Sequence, residues 1–96
     1  MATYRVQVHG TNFLVDLEGR LAKRGFLTFR VVEASDPDGA ESAAIEAVRT
    51  TRSLRELVRN DPGDPPTMAI EEMIEVEPGT SAEGVPTGFI WYEDSP

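Results

Sequence analysis

Apolar and polar positions alternate along residues 3–9, with Tyr4, Val6 and Val8 opposite Arg5, Gln7 and His9, the period-two signature of a half-buried strand. At Gly10-Thr11-Asn12 the parity switches: Phe13, Val15 and Leu17 become the apolar set, against Asn12, Asp16 and Glu18. A glycine at a parity switch marks a bulge or a tight turn, so residues 3–18 form either one bent strand or a hairpin of two short ones. The following stretch, 19–25, holds Arg20, Lys23 and Arg24 and reads as an exposed hairpin tip. It lacks the glycine-rich cradle and helix N-terminus that a phosphate site needs.

Residues 25–34 (GFLTFRVVEA) are rich in β-branched and aromatic side chains, which predicts a strand. Leu27, Phe29 and Val31 share one face; Phe26, Thr28, Arg30 and Val32 share the other. Apolar groups on both faces indicate an interior strand covered on both sides. A helix then starts at Ser35-Asp36-Pro37, where Asp36 or alternatively Ser35 can cap, Pro37 fits the first helical position, and Asp38 and Glu41 suit the positive helix end. Ala40, Ala43, Ala44, Ala47 and Val48 form its buried stripe. Thr50-Thr51-Arg52 weakens the helix, and Ser53-Leu54-Arg55-Glu56 can restart it as a capping box, so it is continuous or broken across 50–53. Asn60 to Pro66 admits neither helix nor central strand.

Alternation returns over 67–77, with Met68, Ile70, Ile74 and Val76 opposite Ala69, Glu71, Met73, Glu75 and Glu77. Glu72 breaks the pattern by falling on the apolar face. It is a partly buried acid, sits at an edge or at a bulge, or pairs with an arginine such as Arg30 on the central strand. After a polar loop through Pro86, residues 88–93 (GFIWYE) predict a last short strand that must dock on the sheet or on another chain.

These elements predict a single α+β domain over 1–96, with an antiparallel or mixed sheet of four to five strands and one long helix, intact or broken, on one face, in the order β-β-α-β-β. One helical layer covers one sheet face. Phe26 and Val32, with either Phe89 and Trp91 or Ile90 and Tyr92, then require cover on the other, which a second copy of the chain can supply. Phe26, Val32, Phe89, Trp91 and Tyr92 are accordingly the candidate interface of a homodimer. Arg30 and Glu72 are a candidate polar site.

The charge pattern narrows the partners. The net charge is −8, yet all nine basic residues lie at or before Arg59, and residues 61–96 carry nine acidic groups and no basic one. Such a surface repels phosphate backbones and anionic membranes, so nucleic acid and membrane are not expected partners, whereas a protein with a basic face is. The chain has no cysteine and one histidine, His9, which removes thiolate and paired-histidine metal sites. No glycine-rich nucleotide motif or calcium loop occurs, so no catalytic, cofactor or metal residue is assigned. The N-terminal stretch has no leader-like apolar run and no segment is long enough to span a bilayer, which points to the cytoplasm.

Gly10-Thr11-Asn12-Phe13-Leu14, Gly19, Gly25-Phe26, Thr28, Arg30, Val32-Glu33-Ala34, Glu41, Pro65-Pro66, Glu71-Glu72 and Gly88-Phe89 resemble the pattern of an uncharacterised family of short, mostly bacterial α+β proteins. That resemblance implies no activity. Residues 25–48 are also similar to HicB-like antitoxin domains, in which a strand feeds a capped, alanine- and glutamate-rich helix; this chain shows no DNA-binding appendage to them. The expected function is a non-enzymatic interaction or regulatory module acting as a homodimer, or else an antitoxin- or immunity-like inhibitor with an acidic face. A small-ligand binder or enzyme centred on Glu72, Arg30 and Trp91 is the third reading.

Overall fold

The parity switch at Gly10 is absorbed within one strand. In the computed structural model, which describes residues 1–93, β1 runs unbroken over Ala2–Leu17 and pairs antiparallel with β2, Arg20–Ala34. The register shifts between Gly10 and Phe13, where Asn12 takes a positive φ of 60°. The bulge therefore keeps Phe13 and Val15 on the same face as Tyr4, Val6 and Val8. The hairpin tip is only Glu18-Gly19, with φ of 54° and 80°, the two positive values of a tight turn whose twist matches its strands. Arg20, Lys23 and Arg24 belong to β2, and Arg24 is buried, its guanidinium donating to the Val15 and Arg20 carbonyls at 3.0 and 3.1 Å.

Helix α1, Pro37–Arg49, begins as its sequence dictates: Asp36 Oδ1 accepts from the Gly39 N–H at 2.7 Å, and Ala40, Ala44 and Val48 are fully buried against the sheet. It stops where the Thr50 and Thr51 hydroxyls donate to the Glu46 and Ala47 carbonyls at 2.8 and 2.9 Å. A second helix, α2, occupies Arg52–Leu57 with Thr51 at its cap position and no side-chain cap bond. The capping box predicted at Ser53 does not form. Glu56 instead pairs with Arg52 at 2.9 Å.

Strand β3, Thr67–Val76, joins the free side of β1, and β4, Ile90–Glu93, joins β2, giving the antiparallel order β3-β1-β2-β4. A second bulge sets Gln7 against Glu72 and Val8 against Ile70, leaving Glu71 as the extra residue. Beyond it the parity of β3 reverses, so Met73 packs on the core while Ile74 turns out and is 40% exposed.

The expected architecture is corrected accordingly. Strands take 49% of the residues and helices 20%, so the sheet, antiparallel and curled into half a barrel, is the body of the molecule. The order is β-β-α-α-β-β and not β-β-α-β-β, because the helix takes the broken alternative and separates into α1 and α2. The break follows from the paired threonines, and the additional strand from Arg20 to Arg24 extending the hairpin. The core lies on the face bearing Tyr4, Val6, Val8, Phe13, Val15 and Phe26, closed by α1 and Leu54 of α2.

Candidate interaction surface

Pairing in register fixes which β2 side chains share the core face. Val6 stands opposite Arg30, Val8 opposite Thr28 and Gly10 opposite Phe26, so Phe26, Thr28, Arg30 and Val32 face the helices. Phe26 is fully buried, at the centre of an aromatic cluster with Phe13, Phe89 and Trp91 at ring-centroid distances of 4.9, 5.0 and 5.3 Å. Val32, Phe89 and Trp91 pack on the same core. Of the five side chains expected at an interface, only Tyr92 lies on the opposite face.

That opposite face carries Leu27, Phe29 and Val31, the set the sequence suggested for the helix side. Thr28 and Arg30 made the true core parity look the more polar one. Leu27, Phe29 and Val31 are half-buried, Ile90 beside Leu27 is 53% exposed, and Tyr92 is 40% exposed. No helix packs there, since both helices close the core face. Gly25 lies directly beneath the Tyr92 ring; a Cβ on it would come within 2.3 Å of that ring. The glycine thus lets the ring lie flat across β2 toward β1, where the Tyr92 hydroxyl meets His9 Nε2. The other ring nitrogen of His9 faces Glu71 Oε2 at 3.6 Å. His9 is the middle of a Tyr–His–Glu chain spanning four strands.

Arg5, also on this face, forms no ion pair among the described residues, and neither do Glu33 and Glu72 near it. Arg30 and Glu72 do not form a polar site: they project from opposite faces. Arg30 donates to Thr28 Oγ1, the Phe29 and Thr87 carbonyls and Thr51 Oγ1, and stacks 5.6 Å from the Phe89 ring centre; burial holds its pKa below the ordinary value. Glu72 is exposed at the β3 edge. Trp91, grouped with them in the ligand-binding reading, is partly buried and packs against the core.

A separate polar network fastens the loop after α2 to the β1 bulge. Asn60 accepts from the Leu14 N–H at 2.8 Å and donates to the Asn12 carbonyl at 2.8 Å, while Asp64 accepts from Asn12 at 2.9 Å and pairs with Lys23. The Lys23 and Asn12 hydrogen bonds hold the Asp64 carboxyl below its usual pKa. Among the described residues no group of three or more His, Cys, Asp or Glu side chains could hold a metal ion, and no helix is long and apolar enough to cross a membrane. Comparison with protein-family models, curated proteins and solved structures yields no match.

Proposed function

We propose that the chain is a small, non-enzymatic protein-interaction module of the cytoplasm that acts as a homodimer, with the open sheet face as its interface. The observation that carries this reading is the apolar set Leu27, Phe29, Val31, Ile90 and Tyr92 on a face that no helix covers. A contiguous patch of this kind is the usual mark of an association surface. The occupant is a second copy because the charges on the face are self-complementary: Arg5 of one copy can meet Glu33 or Glu72 of the other across a two-fold axis.

Edge-to-edge pairing is disfavoured. The outer strand β3 exposes Glu71, Glu72 and Glu75 and is kinked by its bulge, so two β3 edges repel. Glu75, which lies opposite Tyr4 and so off the open face, and the acidic stretch after it remain available in the dimer to a further partner with a basic face, and they repel nucleic acid. Sedimentation velocity tests the dimer. The wild type should sediment as a dimer, and Leu27→Asp and Ile90→Lys as monomers with an unchanged circular dichroism spectrum. A wild type that stays monomeric to its highest soluble concentration sinks the reading.

A further inference from the structure

On the core-face side, where the end of α1, α2 and the start of β3 converge, lies a groove of about 390 Å³ lined by Phe13, Leu54, Val58, Pro66, Met68 and the two arginines Arg49 and Arg55. Its size falls within the ~300–1,000 Å³ of small-molecule sites, which are typically apolar with a few placed polar groups. Phe13 and Leu54, each 3% exposed, are fixed by the core and give it rigid walls. None of its lining residues belongs to the open face, so the site is independent of the dimer.

Its charge is opposite to that of the molecule. In a chain of net charge −8, the segment 46–59 holds four arginines, Arg49, Arg52, Arg55 and Arg59, against two glutamates, Glu46 and Glu56. Both glutamates are engaged, Glu46 with Arg49 and Glu56 with Arg52. Among the described residues the Arg55 guanidinium has neither a hydrogen bond nor an ion pair, and Arg55 shares the lining of the groove with five apolar residues. An uncharged apolar ligand would leave this cation unused, and a simple inorganic anion would leave the apolar walls wet. A ligand with both parts satisfies both.

We propose that the groove binds small amphipathic carboxylates, with the hydrocarbon body against Leu54, Val58 and Met68 and the carboxylate in the fork of Arg55. Arg49 supplies a second cation, because its exposed pair with Glu46 is cheaply broken.

Titration of the full chain with octanoate and with 1-octanol, followed by methyl NMR, tests this. Octanoate should cause saturable shifts at Leu54, Val58 and Met68 and bind more tightly than octanol. Arg55→Gln should weaken octanoate about tenfold, as expected for losing a charged hydrogen bond, and leave octanol unchanged. The proposal is overturned if octanoate causes no saturable shift, if octanol binds wild type as tightly, or if the shifts fall on Leu27, Val31 and Ile90 instead.

Discussion

Two glycines in this sheet lie beneath aromatic rings, and the cost of filling them differs with what the ring can do. A Cβ at Gly10 would sit 2.2 Å from the ring of Phe26, which is fully buried and has nowhere to move. Gly10→Ala should therefore destabilise by about 2 kcal/mol, the cost of overpacking, measured by urea denaturation. At Gly25 the obstructing ring belongs to Tyr92, which is 40% exposed and less tightly enclosed than Phe26. Gly25→Ala should accordingly cost about 1 kcal/mol or less in the same assay, and break the contact with His9. Asp64 supplies a pH-dependent term. Its folded pKa lies below the unfolded one, so its contribution is complete above the ordinary carboxylate range and is lost as pH falls through the depressed folded value. The stability difference between wild type and Asp64→Asn should hold steady near neutrality and shrink only in acid; a difference that grows in acid contradicts the assignment. Gly10 could be read from the sequence because it interrupts a period. The network of Asn12, Lys23, Asn60 and Asp64 could not, since only the folded loop brings those residues together.

Local signals served best where one residue type decides the geometry. Asp36 before Pro37 specified the start of α1, and Asp36→Ala should cost about 1 kcal/mol by losing the bond to the Gly39 N–H. Ser53 offered an equally plausible motif for α2, yet the helix is already under way at Arg52 and Glu56 is engaged there. Ser53→Ala should thus leave stability within about 0.5 kcal/mol, where a working capping box would lose more. The faces of β2 were misassigned for a related reason. Alternation shows which residues share a face but not which face meets the helices, and Thr28 and Arg30 on the core side made it look polar. Their polar groups are satisfied by the Thr87 carbonyl, a partner supplied by the loop before β4 and invisible to a reading of β2 alone.

At the scale of the whole molecule, one face of the sheet is closed by two short helices and the other is left open with its apolar residues in view. An excess of apolar groups over what one helix can cover was legible in the sequence, in residues 25–34 and 88–93. Which residues are left over depended on register and on two bulges, and so changed from Phe26, Val32, Phe89 and Trp91 to Leu27, Phe29, Val31 and Ile90, with Tyr92 common to both sets. In the proposed dimer, the acidic β3 edge disfavours strand pairing and leaves that face for association. The most direct measurement is an isotope-filtered NOE experiment on a mixture of labelled and unlabelled chains. Intermolecular contacts should arise from the Leu27, Val31 and Ile90 methyls and the Tyr92 ring. Intermolecular contacts confined to β3, or none at a concentration where the chain is dimeric by sedimentation, would contradict the account.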